Sequence, residues 1–131
     1  MTTIQKICLI TLFLAGSVAQ GADSVAASGQ QERAVSALEE DLKTDPTNPE
    51  LWLHMGFAYR KAGQINDAQK AFEKAVSLNP KEDSAYYMLG LIYESKQMKP
   101  EAIKAWQAYL AAEKDPEKQS VAQKHIHHLS Q

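Results

Sequence analysis

Cysteine is nearly absent from this sequence. The single cysteine of the 131 residues, Cys8, lies within an apolar run at residues 7–19. We expect that run to be removed during export, which would leave the mature chain without any thiol. Disulfide bonds, thiolate catalysis and cysteine metal sites are therefore excluded from the expected mature domain.

The sequence also lacks a large excess of charge of either sign. It has 14 Lys and Arg against 16 Asp and Glu, which gives a formal net charge of -2 at pH 7. The two signs are interspersed, so no extended field favours nucleic acid or an anionic membrane surface over other partners. We therefore expect a protein or peptide partner and no nucleic acid. The length fits one globular domain.

The N-terminal segment is predicted to be an export signal over residues 1–19. Lys6 supplies a positive start, and the apolar run that follows is too short for a comfortable membrane span. The small residues Ser17 and Ala19 suit cleavage before Gln20. We expect an exported protein of the bacterial periplasm. The alternative is an uncleaved anchor with the domain facing the periplasm, where membrane contact would be made only through this segment.

The rest of the chain shows no strand pattern. Residues 20–30 are small and polar without an apolar period, which is typical of a flexible linker. From Glu32 onward the apolar residues recur at helical spacing, and proline and glycine fall where helices should start or stop. The sequence thus predicts an all-α domain over residues 31–131.

An internal repetition appears at a shift of 34 residues. Four matching positions are Trp52, Met55, Gly56 and Tyr59 in the first unit and Tyr86, Leu89, Gly90 and Tyr93 in the second. Two further positions are Ala68 and Phe72 in the first unit and Ala102 and Trp106 in the second. This pattern, with Pro80 closing the first unit, resembles the tetratricopeptide-repeat family.

The resemblance implies a right-handed solenoid of antiparallel helix pairs. The expected parts are a leading helix as a half-repeat at 31–48, full repeats at 49–82 and 83–116, and a capping helix at 117–131. We expect Ala68 to face Gly56 across the first helix pair, so that the two backbones approach closely. Val121 and Ile126 are the expected apolar contacts of the capping helix.

The second repeat departs from the family pattern at two places. Tyr109 stands where the family usually has an alanine, so its bulk requires extra room. Pro116 comes two residues later than the family's proline, which leaves the exit from this repeat open.

The first helix of each repeat is apolar on more than its core stripe. Leu53 and Phe57 lie about 100° and 140° around the helix from Trp52, and the same two positions of the second repeat are apolar too. The resemblance implies that this face is the concave groove that binds a partner. The predicted groove residues are Leu53, Phe57, Tyr87 and Leu91, with Arg60 and Lys61 as a basic edge.

Two functions fit this stripe. The first is an adaptor that grips an apolar segment of a partner, with an acidic residue or chain end beside it, and supports assembly of a cell-envelope complex. The second is a structural subunit that buries the stripe in a homodimer or larger homo-oligomer. Some family members clamp acidic chain ends with lysines and asparagines, but the corresponding residues here are Leu53, Phe57 and Leu91, which disfavours such a clamp.

Catalysis and metal binding are not expected. His125 and His128 stand three residues apart on the predicted capping helix and suit one metal ion, but they lack a third fixed ligand. The chain has no nucleophile beside a base, no phosphate-binding loop and no paired acids on a rigid scaffold. We therefore expect no enzyme activity and no cofactor.

Overall fold

A computed structural model describes residues 27–131, and its regular structure within that range is entirely helical. The helices are α1 (27–44), α2 (Pro49–Lys61), α3 (Ile65–Leu78), α4 (Asp83–Ser95), α5 (Lys99–Ala112) and α6 (Pro116–Leu129). Connections of three or four residues join them, so consecutive helices are antiparallel neighbours. None of the described helices is long and apolar enough to cross a membrane.

The beginning of α1 differs from the expected domain boundary. Residues 27–30, which the sequence predicts as part of a flexible linker, are helical. Ala27 and Gln30 line a small depression together with Lys61 at the end of α2. The predicted signal segment and the rest of the predicted linker lie outside the described residues.

Prolines mark the starts of helices. Pro49 begins α2, and the side chain of Asn48 accepts a hydrogen bond of 3.0 Å from the backbone N–H of Glu50. Pro116 begins α6 in the same way, behind the capping residue Asp115. The late proline of the second repeat therefore opens the last helix rather than distorting the repeat before it.

Each of the two repeat glycines packs directly against an aromatic ring of the following helix. A Cβ atom built on Gly56 would lie 2.5 Å from the ring of Phe72, and one built on Gly90 would lie 2.6 Å from the ring of Trp106. Both rings are fully buried. The ring of Phe72 therefore supplies the atoms nearest to the position that a Cβ atom of Gly56 would take, and Ala68 is fully buried in the same cluster as Phe72.

The core runs along the whole stack as three clusters of buried side chains. They are centred on Leu42, Met55 and Ala71, on Phe72, Ala85 and Leu89, and on Trp106, Tyr109 and Ala122. Trp52 and Tyr59 pack against the first two clusters, and Tyr87 and Leu91 pack against the last two. No repeat has a separate core, which confirms the prediction of stacked helix pairs closed by a C-terminal helix.

A tyrosine–glutamate hydrogen bond recurs at the repeat spacing on the junctions between units. The hydroxyl of Tyr59 lies 3.5 Å from the carboxylate of Glu39, and that of Tyr93 donates to Glu73 at 2.7 Å. Burial, together with Glu73, raises the pKa of Tyr93 well above its usual value. Each bond connects the second helix of one unit to the first helix of the next.

The turns within the two repeats use the same left-handed backbone conformation. Gly63 has φ of 78° and Gln97, which is 34 residues further along, has φ of 59°. Glycine adopts this region freely, whereas the Cβ atom of glutamine makes it unfavourable by about 1 kcal/mol. The second turn is therefore strained where the first is relaxed.

Adding a side chain at Gly56 should destabilise the fold. We expect Gly56→Ala to lower the free energy of unfolding by about 2 kcal/mol, because the new methyl group overlaps the ring of Phe72. Phe72→Leu should be less harmful in the Gly56→Ala background than in the wild type. Urea unfolding of the four proteins measures this coupling. Additive losses would show that the methyl group does not meet the ring.

Relieving the strained turn should stabilise the fold. We expect Gln97→Gly to raise the free energy of unfolding by roughly 0.5 to 1 kcal/mol, and Gly63→Gln to lower it by a similar amount. Thermal unfolding followed by circular dichroism is the measurement. A loss of stability in Gln97→Gly would mean that other contacts of the glutamine outweigh its backbone strain.

Candidate functional site

An open groove of about 450 Å³ lies among α2, α4, α5 and α6, and we call it the main groove. Its lining residues are Phe57, Asp83, Ser84, Tyr87, Met88, Tyr109, Glu113, Lys118 and Val121. Phe57 and Val121 are 36% and 40% exposed, and they are two of the three large exposed hydrophobic side chains in residues 27–131. The third, Ile65, is not part of the groove lining.

The four predicted apolar groove residues have two different positions. Phe57 and Tyr87 line the main groove, whereas Leu53 and Leu91 are half-buried against the core. Phe57 also meets the ring of Phe72 edge to face, with centroids 5.2 Å apart. The predicted stripe therefore belongs partly to the groove and partly to the walls that enclose the buried rings.

The predicted basic edge is not among the lining residues of the main groove. Arg60 is exposed, and Lys61 lines the separate small depression beside α1. Both belong to the last turn of α2. The charged residues that do line the main groove are Asp83, Glu113 and Lys118, so it contains more acidic than basic groups.

Glu113 forms a structured polar corner of the groove. It is only 8% exposed, and its Oε1 accepts the backbone N–H groups of Lys114 at 2.8 Å and Asp115 at 2.9 Å. Its Oε2 accepts the hydroxyl of Tyr109 at 3.2 Å and lies 3.5 Å from the ammonium of Lys118. The N–H of Asp115, with these other partners, holds the pKa of Glu113 below its usual value, although burial opposes the shift.

Tyr109 lines the main groove, although it is not one of the predicted groove residues. Its ring centroid is 5.6 Å from that of Tyr87 and 6.0 Å from that of Trp106. Burial, reinforced by the hydrogen bond to Glu113, raises the pKa of Tyr109 to about 12. The signal was its bulk at a position where alanine is usual, which indicated extra room but not a groove.

The expected role of Val121 was wrong. Ala122, not Val121, is the fully buried residue of α6, and it packs in the cluster of Trp106 and Tyr109. The small side chain lets α6 approach these two large rings, and that orientation turns Val121 towards the groove. Ile126 does pack against this cluster, as predicted.

His125 joins α6 to the core. Its ring stacks on Trp106 with centroids 4.3 Å apart, and its Nδ1 lies 2.8 Å from Oε1 of Glu94. The same oxygen accepts the indole N–H of Trp106 at 2.6 Å. His128 lines a separate depression with Gln97. Within residues 27–131, no group of three or more potential metal ligands brings the two histidines into a metal site.

Models of a known family match most of the described chain. Models described as tetratricopeptide repeat match residues 25–90 and 84–115. Curated relatives include "Superkiller complex protein 3" from Mus musculus, which is 31% identical over 88 residues, and "Tetratricopeptide repeat protein 37" from Xenopus laevis, which is 33% identical over 82 residues. These alignments cover 67% and 63% of this chain but only 6% and 5% of the relatives.

Solved structures share the fold at low sequence identity. The first TPR of Spaghetti (RPAP3), bound to HSP90 peptide SRMEEVD, superposes with a TM-score of 0.66 at 23% identity and covers 86% of this chain and 92% of that one. The Arabidopsis OM64 TPR domain gives a TM-score of 0.67 at 22% identity, with 81% and 88% covered. Likeness at this level shows the arrangement of helices.

The stability of the fold at low pH should depend on the carboxyl group of Glu113. Because the folded pKa of Glu113 is lowered, its contribution to stability is complete above the ordinary glutamate pKa of 4.5 and is lost as pH falls through the folded pKa. We expect Glu113→Gln to be less stable than the wild type at pH 7 and to lose less stability below pH 4.5. Urea unfolding at several pH values checks this. The exposed neighbour Glu117→Gln is the control, and equal acid sensitivity in wild type and Glu113→Gln would contradict it.

Proposed function

Since the chain belongs to the tetratricopeptide-repeat family, we propose that it is an adaptor that binds an apolar segment of a partner protein in the main groove. The observation that carries the proposal is the pair Phe57 and Val121. They are the exposed apolar side chains of two different helices, and they face one groove. Exposed apolar surface concentrated in a groove is typical of a binding site rather than of a solvated face.

The size and walls of the groove support a peptide-like partner. A volume of about 450 Å³ is in the range of sites that enclose a few side chains, and Tyr87, Met88 and Tyr109 add aromatic and thioether surface. A structural neighbour of this chain holds an HSP90 peptide. This chain carries apolar residues at the clamp positions named above, so we propose recognition of apolar side chains rather than of a chain end.

The N-terminal sequence supports a location outside the cytoplasm. We propose that residues 1–19 direct export to a bacterial periplasm and that the adaptor supports assembly of a cell-envelope complex. Retention of this segment as an anchor is the second candidate for its role. The relatives' names do not extend to this chain, because it matches only about a twentieth of their length.

Self-association is the second candidate function. A second copy of the chain would cover the exposed apolar side chains of Phe57 and Val121 in this case. The two candidates differ in how the mass of the purified domain depends on its concentration. No arrangement of the groove residues suggests catalysis, and we propose a function by binding alone.

A charge placed in the groove should abolish partner binding. We expect Phe57→Glu and Val121→Glu each to weaken binding to the cognate partner by about tenfold or more, because the new carboxylate would lose its hydration against the apolar side chains of the partner. Capture of envelope proteins on the mature domain is the measurement. Ile65→Glu is the matched control, because Ile65 is as exposed as Phe57 but lies outside the groove.

The fold of each variant is checked by circular dichroism before capture. One partner retained by Ile65→Glu and lost by both groove variants would support the adaptor. Recovery of the chain itself, together with a mass that rises with concentration and falls in Phe57→Glu, would replace it by self-association. Equal capture by all variants would reject the main groove as the binding site.

A further inference from the structure

The ionic groups of the main groove do not balance. Glu113 is neutralised within the protein by backbone N–H groups, by the hydroxyl of Tyr109 and by the ammonium of Lys118. Lys118 is correspondingly occupied, with its nitrogen 3.5 Å from the carboxylate of Glu113. This leaves Asp83 as the acidic lining residue without a basic partner.

Asp83 is half-exposed in the first turn of α4. Its Oδ1 accepts the backbone N–H of Ser84 at 2.6 Å and the Ser84 hydroxyl at 3.2 Å. None of the ion pairs within residues 27–131 includes it. Its charge acts across the groove, where it contributes to the raised pKa of Tyr109. A partner's cation would therefore find a carboxylate that the protein itself does not pair with a basic side chain.

We propose that the main groove selects an apolar partner segment that carries a lysine or arginine, with the cation beside Asp83 and the apolar side chains against Phe57 and Val121. The inference rests on the proposed function and names its partner class. It replaces the expectation of an acidic residue or chain end, which the carboxylate of Asp83 would repel at this end of the groove.

The positions of the basic residues of α2 support a partner cation beside Asp83. Two antiparallel connections give α2 and α4 the same direction, and Asp83 begins α4 whereas Arg60 and Lys61 end α2. Within residues 27–131, neither Arg60 nor Lys61 lines the main groove or forms an ion pair with Asp83.

The test uses three peptides with blocked ends that differ at one residue. Each contains leucine, phenylalanine and leucine followed by lysine, glutamine or glutamate, with a fluorescent label at the other end. Binding to the mature domain is followed by fluorescence anisotropy at low and high salt. We expect the lysine peptide to bind about threefold more tightly than the glutamine peptide, and the glutamate peptide to bind most weakly, with the differences shrinking as salt is added.

Two variants assign the preference to one carboxylate. Asp83→Asn should bind the lysine and glutamine peptides about equally, because the unpaired charge is removed while the amide can still accept the hydrogen bonds from Ser84. Lys118→Gln should increase the preference for lysine, since the charge of Glu113 is then less compensated. Asp67→Asn is the matched control, because Asp67 is also an acid in the first turn of a helix but lies outside the groove.

The outcomes separate this inference from the proposed function. Phe57-dependent binding that is equal for all three peptides would overturn the charge preference and leave the apolar groove standing. Tightest binding of the glutamate peptide would overturn it in favour of an acidic partner. Absence of binding by every peptide, or binding unchanged in Phe57→Glu, would reject both. A lysine preference that persists in Asp83→Asn would show that Asp83 is not the carboxylate that selects the cation.

Discussion

The fold depends on the contact between a glycine of one helix and a buried aromatic ring of the next. The ring of Phe72 packs on Gly56 and the ring of Trp106 packs on Gly90, each so closely that no room is left for a Cβ atom on the glycine. The contact fixes the rotation of both helices about their axes, because only one face of the first helix lacks side chains. The same rotation places Phe57 beside the ring of Phe72 and Tyr87 beside the ring of Trp106.

The groove is a consequence of the same contact. A large ring on a glycine must be enclosed from the sides, and the enclosing residues stand three before and one after the glycine on the first helix. Phe57 meets Phe72 edge to face, and Tyr87 meets Trp106 in the same way. Their inner surfaces complete the core while their outer surfaces line the main groove. In the proposed adaptor, the same residues would therefore serve both stability and recognition.

The sequence allowed the helices and their order to be predicted, because caps, prolines and the 34-residue repetition are local signals. Of the four residues in the predicted apolar stripe, Phe57 and Tyr87 line the main groove, and the binding of a partner there stays a prediction. The rest depends on tertiary structure. Val121 faces the groove only because Ala122 fits against two rings, and the charges of the groove follow from hydrogen bonds that Glu113 makes across a helix end.

In the proposed adaptor, the contacts that hold the stack together differ from the charged residues that would distinguish one partner from another. The rings on their glycines and the tyrosine–glutamate bonds between units lie away from the charged groove residues Asp83 and Lys118. Neither Asp83 nor Lys118 belongs to a buried apolar cluster, although Lys118 pairs with the buried carboxylate of Glu113, whereas a side chain at Gly56 would overlap the buried ring of Phe72. In the proposed adaptor, partner choice would therefore vary through the charged groove residues while the apolar groove and the fold persist.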